Sequence, residues 1–394
     1  MIYLDYAATT PIDKEILARY MDVESKFFAN TTSMHLLGQK ANYMYEASSA
    51  EIAKALGAAS HEIIYTSCAT EANNIGIFGI ANKYSSGTII TSKIEHPSVF
   101  EVMKSLEGRF NVVYLDINED GIIDIEELKK AMSKDVILVS IMWVNNIIGS
   151  VQPIKEVIDI VKGYPKAKLL VDATQGIGKI KPNFSFSDID MFTFSTHKIY
   201  GPKGVGCLIK KNGLELVKLL QGSRSQFNLR PGTFDLALVE STKMAVKKAL
   251  NSLSENEAYV KKLYMYLYDC LKDMKGIVIN SPLKYSSYYC MNISILNNGK
   301  FVPSETVLHY LEQSEIYVSI GSSCSSKLAK PEKTLLALTG DEARSKSGVR
   351  LSFSHLTTKE EIDKVIDALK EYGEKYVWYD FNSLWRNDIK KEEL

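Results

Sequence analysis

At 394 residues the chain exceeds one compact core of about 100 to 200 residues, so two domains are expected. Lys plus Arg and Asp plus Glu balance at 47 each, which excludes a global field drawing the protein to nucleic acid or an anionic membrane surface. An apolar share of 45% against 24% charged residues excludes a disordered chain. Cys68, Cys207, Cys270, Cys290 and Cys324 are scattered without paired ligand spacing, so neither a disulfide framework nor a metal centre is expected. No apolar run reaches the roughly 20 residues that span a bilayer, and the start Met-Ile-Tyr-Leu-Asp-Tyr lacks a secretory pattern, so a cytoplasmic location is expected.

In chain order, short apolar runs at Thr88–Thr91, Val112–Leu115, Val136–Val144, Lys168–Val171, Met191–Phe194 and Val205–Ile209 alternate with amphipathic stretches. That alternation predicts an α/β fold with a mostly parallel sheet sandwiched by helices. Polar residues stand at the ends of these runs, where ligands of open α/β sheets sit. The proline-free stretch Leu236–Leu271 has helical spacing and reads as one bridge between domains. A strand at Tyr288–Leu296, a helix at Ser304–Gln313 and a closing helix at Thr358–Tyr372, opened by the capping pair Thr358 and Glu361, predict a smaller α+β C-terminal domain. The expected division is 12–250 for the large, cofactor-binding domain and 1–11 with 251–394 for the small one.

Lys198 follows the apolar run Met191–Phe194 and precedes the glycine-rich turn Gly201-Pro202-Lys203-Gly204. A lysine presented there can form a Schiff base with an aldehyde cofactor, and such a ring needs a carboxylate partner for its nitrogen. Asp172 closes the run Leu169–Val171 and can supply it. A lysine after a strand is usually a solvated residue and a strand-end aspartate usually a cap, so the pair alone leaves both readings open.

The wider set of motifs resembles the class V aminotransferase superfamily and, within it, the cysteine desulfurases. The similarity runs through Tyr3 to Pro11, Asn30 to His35, Ala69-Thr70-Glu71, Glu95-His96, Asn145-Asn146, Asp172-Ala173-Thr174-Gln175, the Lys198 segment, Arg230-Pro231-Gly232-Thr233, Cys324 and Arg350, in that order over almost the whole chain. It implies an aspartate-aminotransferase-like fold and pyridoxal phosphate as cofactor. By that resemblance Lys198 would carry the cofactor and move the substrate's Cα proton. Asp172 would keep the ring nitrogen protonated, Gln175 and Asn146 would meet the phenolic oxygen side, and His96 would stack on the ring and shuttle protons. Ala69, Thr70, Ser195 and His197 would bind the phosphate, and Thr233 would reach the phosphate of a neighbouring subunit in a homodimer. Arg350 would grip the substrate carboxylate, with Asn30 as a second contact. Cys324, in a loop of serines and glycine, would take the substrate sulfur as a persulfide, leaving L-alanine.

The implied function is removal of sulfur from L-cysteine for an acceptor protein, either an iron–sulfur cluster scaffold or a tRNA-thiolating enzyme, with no direct nucleic-acid or membrane partner. A selenocysteine lyase, another class V pyridoxal enzyme and a degenerate non-catalytic paralogue are the alternatives. The chain departs from the family pattern at Gly222-Ser223-Arg224-Ser225-Gln226, where glycines and an acid are usual, at Ile147, at Cys68 and at His355. The lost glycines are expected to reshape the entrance to the site.

Overall fold

A computed structural model describes residues 1–321 and 331–377. The larger sheet has seven strands in the spatial order His61–Thr66, Gly206–Lys211, Met191–Ser195, Lys168–Asp172, Val136–Met142, Thr88–Ser92 and Asn111–Leu115. Gly206–Lys211 runs antiparallel to both neighbours, and the other pairings are parallel. Val136–Met142 is buried at every position, as a strand covered on both faces by helices must be. Helix Ala69–Ala81 packs its buried Ile75 and Ile77 on one face, together with Leu170, Met191 and Leu208 of the sheet. Trp143, Val171, Phe192 and Val205 face the other core with helix Leu236–Asn251.

A separate C-terminal sheet carries Ile277–Ile279, Cys290–Asn297, Lys300–Phe301, Val349–Ser352 and Ser319–Ile320, all paired antiparallel. The chain's first residues join this region: Ile2–Tyr3 pairs with Ile316–Tyr317, and Asp5 bridges to Ser352. Thr358 caps the closing helix Lys359–Tyr372 in a reciprocal capping box with Glu361.

Two readings of the sequence need adjustment. The stretch Leu236–Leu271 is two helices, Leu236–Asn251 and Leu253–Leu271, parted at Ser252, whose backbone leaves the helical angles (φ −98°, ψ 7°). His61–Thr66 is a strand that the apolar runs did not reveal. It lies at the sheet edge, and its free Tyr65 backbone is satisfied by a side chain: Gln226 Oε1 accepts from Tyr65 N at 2.6 Å, and Nε2 donates to Tyr65 O at 3.1 Å. Gln226, Phe227 and Asn228 all have left-handed backbone angles, a conformation that glycine takes without cost. In the segment that lost its glycines, the buried Gln226 amide helps offset that strain.

No helix among the described residues is long and apolar enough to cross a membrane, and those residues hold no cluster of metal-ligating side chains.

Candidate active site

A cavity of about 190 Å³ opens at the C-terminal ends of the parallel strands. Ala69, Thr70, His96, Asn146, Asp172, Gln175, Ser195, His197, Lys198 and Arg350 all line it, with Ala7, Ala8 and Cys68. Several arrive from strand ends of the large sheet: Asp172 and Gln175 at and after Lys168–Asp172, Ser195 to Lys198 at and after Met191–Ser195, His96 beyond Thr88–Ser92; Arg350 comes from Val349–Ser352 of the other sheet. Parallel strands converge there because every crossover returns to the opposite edge.

Lys198 Nζ donates to the carbonyls of Ala7 and Ala8 at 2.7 and 2.6 Å. Burial, reinforced by the charge of Arg350 against Asp5 and Asp172, brings its ammonium down to about 8. The turn after it is fixed by Tyr200, which has φ of 65°, accepts from Asp13 N through its carbonyl and takes a 2.8 Å bond from its own N–H to Thr10 Oγ1. A bulky residue held at positive φ marks a turn set by tertiary contacts.

Asp172 is buried and accepts from Thr174 N at 3.0 Å and Asn73 Nδ2 at 2.9 Å. The fully buried Asn73 also donates to Ser98 Oγ at 2.9 Å and accepts from Thr193 Oγ1 at 2.6 Å. Ser98 in turn meets His96: its N–H donates to Nδ1 at 3.1 Å, and its hydroxyl lies 2.8 Å from the same nitrogen. Nδ1 is therefore an acceptor, so the ring proton sits on Nε2 in the neutral form. Burial lowers the His96 pKa, with Asp172 pulling the other way, and keeps that neutral form at pH 7. The neighbouring Glu95 is pushed up to about 8 by burial and accepts from Ser92 Oγ and Met142 N through Oε1.

At the other end of the cavity, helix Ala69–Ala81 starts without a side-chain cap, since Cys68 makes no such bond. Its first N–H groups and positive dipole end form an anion site, with Thr70, Ser195 and His197 around it. Burial and the charges of Lys198, Lys203 and Lys179 bring His197 down to about 4, so it stands neutral beside Thr9 Oγ1 at 3.2 Å. The strand partner of this turn must be glycine: a Cβ on Gly206 would lie 2.4 Å from the Cys68 carbonyl carbon and 2.6 Å from Ala69 N. Gly206→Ala is expected to displace the helix start at a cost of about 1–3 kcal/mol and to weaken anion binding. A melting curve together with a cofactor titration followed by absorbance checks both.

Arg350, almost fully buried, pairs with Asp5 at 2.7 Å through Nη2 and donates to the Asn146 carbonyl at 2.9 Å through Nη1. Its Nε is left without a partner among the described residues. Asn30 and Thr233 do not line this cavity; both are exposed, and Asn30 Nδ2 lies 3.5 Å from Thr233 Oγ1. Cys324 lies outside the described residues. Sequence reasoning missed Asn73, Asp5 and Lys179 as neighbours of the site. Asp5 stood within the quoted N-terminal motif, and Lys179 is a charge set between the apolar Ile177 and Ile180, which was the available signal.

The Aminotransferase class-V family description matches residues 2–365. The chain belongs to the class-V aminotransferase family. It is 39% identical to a NifS/IcsS protein homolog of Lactobacillus delbrueckii subsp. bulgaricus, over 94% of this chain and 97% of that one. It is 35% identical to the cysteine desulfurase IscS of Dictyoglomus turgidum, over 95% of each. A solved NifS-like protein superposes with a TM-score of 0.86 at 33% identity, covering 94% of this chain and 98% of that one.

The cofactor of this family is pyridoxal phosphate, and the cavity fits it on its own chemistry. A buried carboxylate at one end suits a protonated pyridine nitrogen, an uncapped helix start at the other suits a phosphate, and an amine lies on the same wall.

Proposed function

We infer that this protein is a cysteine desulfurase, which takes sulfur from L-cysteine, leaves L-alanine and hands the sulfur to an acceptor. The observation that carries this reading is the meeting of Lys198, Asp172 and His96 with the buried guanidinium of Arg350 on one cavity. Relatives matched over nearly their full length carry the name of that activity.

Bound pyridoxal phosphate supplies an electron sink for charge left on the substrate's Cα. Lys198 would carry it, and its amine is the group placed to take and return the Cα proton. Asp172, held by Asn73 and Thr174, keeps the ring nitrogen protonated. Gln175 and Asn146 serve the phenolic side. His96 offers Nε2–H as a neutral donor. Ala69, Thr70, Ser195 and His197 bind the phosphate. Arg350 can grip the substrate carboxylate with its planar fork, and Asp5, already on Nη2, fixes the direction of that fork.

Cys324 is the sulfur acceptor in this reading. The strand Ser319–Ile320, which leads towards it, pairs with Val349 and Arg350, so the chain departs for Cys324 from beside the substrate-binding arginine. L-cysteine plus the Cys324 thiol gives L-alanine plus a Cys324 persulfide: the Cβ–S bond breaks, the S–S bond forms, and the Cβ takes the electron pair and a proton.

Asn30 and Thr233 are exposed side by side, and Phe28, Met34, Leu36 and Tyr43, close to Asn30 in the chain, are exposed as well. A second copy covering this apolar surface would bring both polar groups to the partner's cavity, so the working unit is a homodimer. The acceptor is an iron–sulfur scaffold or a tRNA-thiolating enzyme of the cytoplasm.

The test is a visible spectrum of the purified protein, followed by L-cysteine with a reductant and assay of both products. A yellow protein that forms alanine and sulfide in equal amounts is expected, and Cys324→Ala is expected to keep the colour and lose most of the turnover. A colourless protein, or a yellow one that forms no alanine, would overturn the reading.

A further inference from the structure

Lys179 is a buried lysine, 7% exposed, and among the described residues no carboxylate pairs with it. Its Nζ donates to Gln175 Oε1 at 2.6 Å. The two residues are four apart on one helical turn after Asp172, closed by Ile177 N to Ala173 O at 3.0 Å and Lys179 N to Gly176 O at 3.1 Å. The turn cannot shift away. A Cβ on Gly176 would sit 2.1 Å from the Trp143 ring, and one on Gly178 would sit 2.7 Å from the Ala249 methyl.

A charged lysine has no acceptor, so the oxygen of the Gln175 amide must face it and the nitrogen must face away. A neutral lysine amine can donate or accept, and in that form the Ala7 carbonyl, an acceptor only, keeps the amide nitrogen on its side. One N–H of that nitrogen donates to the Ala7 carbonyl at 2.9 Å. The second is left for the cavity that Gln175 lines. Without Lys179 only the bond to the Ala7 carbonyl would hold the amide this way round, with its oxygen left unpaired. Burying a lysine without a carboxylate partner is costly, and a surface role would not require it.

Resting on the desulfurase reading, we propose that Lys179 is a positioning residue: it locks the Gln175 amide with N–H towards the cavity, so that the cofactor's phenolic oxygen is held as an anionic acceptor. The groups that face Lys179 fit this task. The charges of Lys198 and Arg350 oppose its own, its charge in turn opposes that of His197, the Cys290 thiol favours it, and the carboxylates of Asp5 and Asp172 favour the charge of Lys198. Burial, then the charge of Lys198, brings the Lys179 ammonium down to about 7, and an anionic oxygen bound by Gln175 would favour its charged form again.

The experiment is a pH titration of the visible absorbance of the loaded protein without substrate, in wild type, Lys179→Met, Gln175→Leu and the double variant. Losing the donor to the phenolic oxygen makes the chromophore hold its proton to higher pH, so Lys179→Met is expected to raise the midpoint by about one pH unit. In the Gln175→Leu background the same substitution is expected to add less than half of that, because the path through Gln175 is gone. Lys179→Leu serves in place of Lys179→Met if methionine is not accommodated. An unmoved midpoint, or an equal shift with and without Gln175, would overturn the proposal while leaving a coloured, active wild type intact. A wild type with no visible band would instead overturn the desulfurase reading beneath it.

Discussion

Lys198→Ala is expected to lower L-cysteine turnover by at least about 10⁴-fold, the upper end of what a positioned acid–base group contributes, because the same residue also anchors the cofactor. The variant should fold: the Lys198 side chain contributes hydrogen bonds to the Ala7 and Ala8 carbonyls, whereas the turn itself is held by Tyr200 with Thr10 and Asp13. Steady-state alanine formation, with a melting curve as control, measures the loss. The same lysine sets a pH dependence whose direction follows from its surroundings. Burial and Arg350 disfavour the charged amine, so its pKa falls and the free base is populated above about 8 instead of above 10.5. The rate at which the apoprotein gains colour on adding pyridoxal phosphate should therefore rise with pH through about 8 and then level off. A rise only in the range of an exposed lysine would show that Lys198 is not desolvated as described.

Much of this fold could be read from hydrophobic runs, because Val136–Met142 and its neighbours are buried on both faces and leave continuous apolar segments. His61–Thr66 escaped, since it begins with His and Glu and its apolar run, Ile63 to Tyr65, is short. The break at Ser252 was equally hidden, because helical spacing continues on both sides of it. The site divides in the same way. Lys198, Asp172 and Gln175 became legible only through the order of motifs, since a single strand-end lysine or aspartate says little. Asn73 was not legible at all: its partners Asp172 and Thr193 lie 99 and 120 residues away, and only the folded sheet joins them. The glycine-poor segment at 222–226 shows a second limit. Composition predicts that its backbone changes, but not that the Gln226 side chain would take over the edge of the sheet.

Asp172→Asn should separate cofactor retention from cofactor activation. The amide is close to isosteric, and the phosphate end of the cavity, with Thr70, Ser195 and the helix start, is untouched. The variant is therefore expected to stay coloured while kcat falls on the order of 10²–10³-fold, the size typical of removing one preorganised electrostatic partner. The local hydrogen bonds predict a further cost. Asp172 now accepts from both Thr174 N and Asn73 Nδ2, and an amide has only one acceptor oxygen, so one of these donors would face an NH₂ group. Asn73 could turn its own amide, but that would trade the bond it accepts from Thr193 Oγ1 for one from Nδ2 to the same hydroxyl. A loss of about 1–3 kcal/mol in stability follows, as for a buried donor left unpaired. With its bond to Asp172 as the route by which Asn73 acts on the reaction, Asn73→Ala should slow the wild type but add little to Asp172→Asn. Equal kcat losses from Asn73→Ala in both backgrounds would mean that Asn73 works by another route, through Ser98 and His96. A kcat unchanged in Asp172→Asn would remove Asp172 from the chemistry altogether.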